Sequence, residues 1–398
     1  MKKKIISILI AVVLLAGSVA ATYFIQQNRY ESDIAGAAAN VKDLQAQLTV
    51  FENENTGNKE ILIDMLCRLD YKDKPVYVIG HKTPDSDTVA SAIGMAYLLN
   101  SLGISAEARI SGALNLESQF VFSELKYPAP DILEDATGKQ LWLVDHSTST
   151  QMVNGAEQAR IVGITDHHGI GDAETSETIC VLSCPAGSTC AVVYKLCEVC
   201  DVELPKDTAG VLLAGLLSDT SNMKSKGVTK LDESAFEKLK ELSGITDTDG
   251  LFNGMLEAKL SYKGLDDTEV FYSDYKDYEH NGVKYGIGCI KVARPDLIPA
   301  MAERMQAVIE TEIADSEADF LLYSIYDPDY STGYMGIAGK DAAFAEKLMS
   351  DVFGEKAERQ GDFFVVKPSF NRKTEIVPPI DEWLGKSKEL SAQNGRKY

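Results

Sequence analysis

The segment GHKTPDSDT (80–88) places His81, Asp85 and Asp87 within seven residues, directly after the apolar run Val76 to Ile79. LVDHS (143–147) adds Asp145 and His146, TDHH (165–168) adds Asp166, His167 and His168, and LLSDT (216–220) adds Asp219. The chain has five histidines, and four of them fall in these loops. Acids and imidazoles buried without partners cost stability, so such a concentration makes sense around metal ions. Mixed carboxylate and imidazole donors suit borderline ions such as Mn, Fe, Co or Zn. The absence of sulfur donors argues against a structural zinc site. Six or seven ligands exceed what one open ion needs and match two. Two neighbouring ions can share a bridging hydroxide and clamp phosphoryl oxygens during in-line attack.

The flanking sequence predicts what positions these groups. PVYVIG (75–80), LWLVD (141–145) and RIVGITD (160–166) read as buried strands, and VASAIGMAYLLN (89–100) and TAGVLLAGLLSD (208–219) as helices. Strands alternating with helices imply an α/β fold with a doubly wound, mostly parallel sheet. Ligands to such sheets bind where the strands end, at their carboxyl edge, which is where each acidic loop falls. AKLSYKGLDD (258–267) reads as a linker. Beyond it KYGIGCIKV, DFLLYSIYD and DFFVVKPS read as strands, with a helix from Pro295 to about Glu312, giving a smaller C-terminal α/β domain. The expected organisation is an N-terminal domain over 59–257, the linker over 258–267 and a smaller C-terminal domain over 268–398.

The order and spacing of GHKTPDSD, LVDHS, TDHH and LLSDT resemble the DHH phosphoesterases, and more narrowly the family II, manganese-dependent inorganic pyrophosphatases. The likeness runs from about Pro75 to about Trp383 and takes in PAGST, MKSKGVT, SDYKDY and FNRKTEIVPP. It implies a DHH domain followed by a DHHA2-like domain, with the active site in the cleft between them. It implies that His81, Asp85 and Asp145 hold one ion, and that Asp87, Asp145, His167 and Asp219 hold the other. By the same resemblance Asp166 orients a neighbouring imidazole, His168 faces the substrate and assists proton transfer, and Lys276, Arg372 and Lys373 bind its phosphates, with Lys224 a weaker candidate. Arginine can bind phosphate through two parallel hydrogen bonds, and lysine acts as a point charge. Two manganese ions are expected, with cobalt the alternative and magnesium accompanying the substrate. A homodimer is implied by the resemblance alone. The family's terminal motif reads Ser-Arg-Lys-Lys-Gln, whereas this chain has NRKTE (371–375), which puts substrate preference in question. The span from Asp219 to Lys276 is too short for a regulatory insertion.

The formal net charge of −21 speaks against nucleic-acid binding, and it requires a local basic pocket or metal ions for an anionic substrate. The N-terminus is MKKK followed by an uncharged run over 5–25, about the 20 residues that span a bilayer. It also has signal-peptide form, with small residues at Ser18 and Ala20. The expectation is a membrane anchor with the enzyme outside the cytoplasm, or a secreted protein if the segment is cleaved. Ile34, Val41 and Leu48, with Ala37, Leu44 and Phe51, form a short heptad pattern, so 26–58 reads as a helical stalk. CEVC (197–200) lacks a second pair and sits in an apolar helical setting, so its cysteines read as structural.

Hydrolysis of pyrophosphate to two phosphates is the leading reading. A polyphosphate or nucleotide substrate for the same site is the second; no GGGH-like motif of nucleotide-cleaving relatives occurs. A non-catalytic anchored protein that binds metal or phosphate is the third, and the complete ligand set disfavours it.

Overall fold

The computed structural model describes residues 59–72 and 74–394, with side chains to 386, and isolated helical positions before them (Ser18, Thr22, Gln26, Gln27, Arg29 and Lys42). The rest of the expected anchor and stalk lies outside the described residues. Among the described residues no helix is long and apolar enough to cross a membrane.

A helix over 59–67 and the segment Leu196–Glu203 belong to one compact unit, in which Lys59 Nζ lies 2.8 Å from Asp201 Oδ2. The larger unit comprises Tyr71–Lys195 and Leu204–Tyr398 and contains two sheets. The first sheet has five strands: β1 (Val76–Ile79), β2 (Ala106–Arg109), β3 (Gln140–Val144), β4 (Arg160–Asp166) and β5 (Cys180–Ser183). Their order is β2-β1-β3-β4-β5, and every pairing is parallel. The connections include α1 (Ser86–Ser101) and α2 (Leu116–Glu124) before β3, and α3 (Thr189–Val199) after β5. They continue with α4 (Lys206–Asp219), α5 (Lys230–Ser243) and α6 (Thr248–Lys259).

Parallel strands covered on both faces become continuous apolar runs, and β3 is buried along its whole length. Alternation, with a register shift in β4 between Ile161 and Gly163, sends Ile79, Leu141, Leu143, Ile161 and Ile164 to one face, where Leu133, Met152 and Val153 cover them. Val76, Val78 and Trp142 take the other. There Gly163 leaves room for the indole, since a Cβ at this position would lie 2.5 Å from Trp142 ring atoms. Trp142 Nε1 donates to Thr165 Oγ1 at 2.9 Å, satisfying the one polar atom of a fully buried ring.

The second sheet has six strands: β6 (Tyr275–His280), β7 (Val283–Lys291), β8 (Phe320–Tyr326), β9 (Gly333–Gly339), β10 (Ala357–Gln360) and β11 (Phe363–Val366). They run in the order β10-β11-β9-β8-β7-β6, antiparallel except for β7 with β8. Asn281 and Gly282, both at positive φ, turn β6 into β7, as a two-residue hairpin requires. Phe271 of α7 (Asp267–Tyr272) and Met301, Met305 and Ile309 of α8 (Ile298–Glu312) pack with Leu321, Tyr323 and Ile325. The alternate residues Tyr285, Ile287, Phe320 and Leu322 pack with α9 (Ala342–Phe353) and α10 (Val377–Asn394).

Candidate metal centre

The order β2-β1-β3 places a topological switch point between β1 and β3, with β4 next to β3. The crevice outside the carboxyl ends of these strands is where such sheets bind ligands. The loop after β1 delivers His81, Asp85 and Asp87. Asp85 is the N-cap of α1, and its carboxylate accepts from Thr88 N at 2.9 Å. Asp87 falls in the first turn of α1 and is fully buried. The chain leaves β3 at Asp145 with φ of 63°, a left-handed conformation in which aspartate and asparagine are enriched. β4 ends at Asp166, so His167 and His168 emerge beside Asp145, and Asp219 is the last residue of α4.

Two donor sets result, and they share Asp145. His81, Asp85 and Asp145 offer atoms all within 4.8 Å of one another, as do Asp87, Asp145, His167 and Asp219. His81 Nε2 lies 3.4 Å from Asp85 Oδ2 and 3.5 Å from Asp145 Oδ2. His167 Nε2 lies 3.4 Å from Asp145 Oδ1 and 3.6 Å from Asp219 Oδ2. His168, with Asp145 and His167, completes a third grouping. The rim cavity has a volume of about 240 Å³ and is lined by His81, Asp85, Asp145, His146, His168 and Asp219, among others. All of its lining comes from the first sheet's loops and helix ends.

Hydroxyls and backbone amides hold the acids. Asp145 accepts from Thr88 Oγ1 at 2.5 Å and Thr189 Oγ1 at 2.8 Å. Asp87 accepts from Ser188 Oγ, from Thr189 N at 2.7 Å and from Cys190 N at 3.0 Å, so the start of α3 grips it with free amides. Asp232, buried in the capping box of α5, steadies that grip by accepting from Gly187 N at 2.8 Å. Sequence reasoning marked PAGST only by resemblance, and it missed Thr88 and Asp232. Their partners lie far away along the chain, and the one local signal was the Thr-x-x-Asp capping pattern at 229–232.

The imidazoles are set as donors to cations. His167 Nδ1 lies 2.9 Å from the Ala186 carbonyl, which can only accept, so Nδ1 carries a proton and Nε2 is the nitrogen left to meet a cation once its own proton is displaced. That Nε2 is buried without a hydrogen-bond partner, as a metal ligand would be before loading. Asp166 Oδ1 accepts from His167 N at 2.8 Å, His168 N at 3.0 Å and His168 Nδ1 at 3.0 Å, fixing the turn and the His168 ring. His146 is buried with Nδ1 2.8 Å from the Val144 carbonyl.

Protonation records the crowding of charge. Burial, then repulsion from Asp87, Asp85 and Asp145, pushes Asp219 up to about 9. Burial and Asp145 push Asp87 up to about 6. Burial opposes charge on His81, but Asp145 and Asp85 outweigh it and raise the ring to about 10. Burial likewise opposes His167, and Asp145 and Asp87 raise it to about 10. Burial also opposes ionisation of Asp145, yet His167, His81 and Thr88 hold it well below the usual carboxylate range. Asp219 and the two imidazoles thus retain protons at neutral pH until cations replace them, and two divalent ions would balance the four acids. The donor set fits such ions.

The cationic candidates lie elsewhere. Lys276 is exposed on β6, opposite Ile287 in register. Arg372 reaches the same place, donating to Asp274 O at 2.7 Å, Asp274 Oδ1 at 2.6 Å and Ile287 O at 3.3 Å, with its side chain only 10% exposed. Lys373 and Lys224 are exposed. Asn371 Oδ1 accepts from Lys373 N at 3.0 Å, and Glu375 Oε2 accepts from Asn371 N at 2.9 Å. Two of the three departures, Asn371 and Glu375, therefore brace the turn that presents Arg372 and Lys373. None of these cations lines the rim cavity.

Residues 75–216 match the DHH family N-terminal domain, and residues 253–383 match the DHHA2 domain. The chain is 34% identical over 331 residues to the probable manganese-dependent inorganic pyrophosphatase of Archaeoglobus fulgidus, covering 77% of this chain and 97% of that protein. It belongs to the manganese-dependent inorganic pyrophosphatase family. The manganese-dependent inorganic pyrophosphatase of Methanocaldococcus jannaschii is 32% identical over 313 residues, covering 77% of this chain and 98% of that protein. The crystal structure of a candidate family II inorganic pyrophosphatase from Methanococcus jannaschii superposes with a TM-score of 0.49 at 30% identity. That superposition covers 77% of this chain and 98% of the other. Members of this pyrophosphatase family are hydrolases, and the donor sets described above lie within the DHH match, apart from Asp219 just beyond its end.

Proposed function

We propose that the chain hydrolyses inorganic pyrophosphate to two phosphates. The observation that carries this reading is the pair of donor sets sharing Asp145, in a chain of this family. His81, Asp85 and Asp145 would hold one divalent ion, and Asp87, Asp145, His167 and Asp219 the other, manganese or cobalt in each case. When bound, the ions would supply Lewis acidity toward phosphoryl oxygens and acidify a water molecule.

The chain's own residues do the rest. His168 is half exposed at the rim, and its bond to Asp166, partly opposed by burial, raises the ring's affinity for a proton. Its position suits it to bind an anionic substrate and deliver a proton to the departing phosphate. Lys276, Arg372 and Lys373 would bind the phosphates on closure of the C-terminal domain over the first, which excludes water from the site. The chain is further read as membrane-anchored through residues 1–25, or secreted if they are cleaved, and as a homodimer.

A short polyphosphate is the second reading, favoured by Thr374 and Glu375 where the family pattern has Lys and Gln. Phosphate release from pyrophosphate, tripolyphosphate and a diadenylate by the full chain with manganese tests both. Fast turnover of pyrophosphate supports the first reading, preference for tripolyphosphate supports the second, and inertness toward all phosphoanhydrides would overturn both.

A further inference from the structure

The four carboxylates of the two donor sets are not held alike. Asp85, Asp87 and Asp145 each accept hydrogen bonds from hydroxyls or backbone amides. Asp219 accepts none among the described residues; His167 Nε2 lies 3.6 Å from its Oδ2. Its position is therefore set by the end of α4. That end is gripped one residue earlier, where Ser218 Oγ donates to Glu117 Oε1 at 2.9 Å.

Glu117 is itself unusual. It lies in the first turn of α2, where a solvated carboxylate would already serve the helix, yet it is only 2% exposed. Its second oxygen, Oε2, accepts from Lys259 Nζ at 2.9 Å, in the last turn of α6. The adjoining Ser118 Oγ lies 3.2 Å from Ser86 Oγ, between Asp85 and Asp87. One turn of α2 thus touches the neighbours of ligands on two different helices, and the residue that precedes the connector to the second sheet.

We propose that Glu117 is a positioning residue for Asp219, acting through Ser218 and anchored by Lys259. The proposal rests on the reading of Asp219 as a metal ligand. Groups that orient a ligand typically govern metal affinity by about 10–100-fold.

The test is equilibrium dialysis of manganese against the full-length chain and its Glu117→Gln and Ser218→Ala variants, with circular dichroism reporting the fold. The unaltered protein should hold two ions. Each variant should keep one at unaltered affinity and bind the other about 10–100-fold more weakly. The double variant should lose no more than the larger single loss, because both changes break one linkage. Unaltered affinity for both ions in Ser218→Ala would overturn the proposal, whatever Glu117→Gln does to thermal stability. If Glu117→Gln does not fold, Ser218→Ala alone decides. Ion binding is read without turnover, so an unaltered chain that binds two ions and leaves pyrophosphate intact would sink the functional reading and not this one.

Discussion

Asp145 carries two burdens, one through its side chain and one through its backbone. It belongs to both donor sets, and it turns the chain out of β3 at positive φ. Asp145→Ala changes both, whereas Asp145→Asn keeps a residue type that tolerates the left-handed region. Both variants should lose manganese binding and pyrophosphate turnover together. Asp145→Ala should in addition cost about 1–2 kcal/mol of stability, read from chemical denaturation of the metal-free proteins. Full activity in either would sink the assignment of Asp145 to two ions. The protons at this site give a second expectation. In the metal-free protein His81 and His167 titrate near 10 and Asp219 near 9. The raised imidazoles stabilise the fold below their unfolded value of about 6.5, and that contribution is lost as pH rises through 10. The raised carboxyl costs stability progressively from about pH 4 to 9. Both signs agree: the metal-free protein weakens toward alkaline pH, while an ion meets fewer protons to displace. Manganese should therefore raise the melting temperature more at pH 9 than at pH 6, and calorimetry in buffers of different ionisation heat should count protons released. A metal-induced shift that shrinks with pH would contradict this.

At the scale of elements, the sequence revealed what is apolar and continuous. β1, β3 and β4 stood out because both their faces are buried, and each ends in its acidic loop. The strands β2 (AEAR), β5 (CVLS) and β6 (YKDYEH) did not stand out. They are edge strands or pair near an edge, and half-exposed strands carry polar residues that dilute the pattern. The candidate donors were legible because residue type alone marks a carboxylate or an imidazole as a donor. The groups that orient them were not, because Ser188 reaches Asp87 across 101 residues and Glu117 reaches Ser218 across 101 more. A serine or a capping acid has many local uses, and only the fold picks one. Close packing behind the site gives a prediction at this scale. Gly163→Ala would push a methyl against Trp142 in the sheet that presents Asp145 and Asp166. Overpacking of this kind costs about 1–3 kcal/mol, so the variant should unfold at lower denaturant concentration. An unchanged midpoint would show that the indole can shift freely.

At the scale of the whole molecule, the acidic balance and the N-terminal run make separate demands. If residues 1–25 anchor the chain, the full-length protein should sediment with membranes and resist an alkaline wash. A chain starting after residue 25 should stay in the supernatant. Recovery of a shortened chain in the soluble fraction would favour cleavage, and recovery of the full-length form there would count against both readings of this segment. The net charge of −21 has a subtler counterpart in the second sheet, where Arg372 already has an anion beside it. A phosphate arriving there would exchange with Asp274 and would not fill an unmet need, so binding gains less than a bare guanidinium would give. The benefit comes on departure. If Arg372 binds a product phosphate as proposed, Asp274 would take the guanidinium back when that phosphate leaves, and no desolvated cation would be stranded. Asp274→Asn should then hold product more tightly and turn over more slowly at saturation. In that reading, the acid that weakens the grip on substrate is what lets the enzyme empty itself.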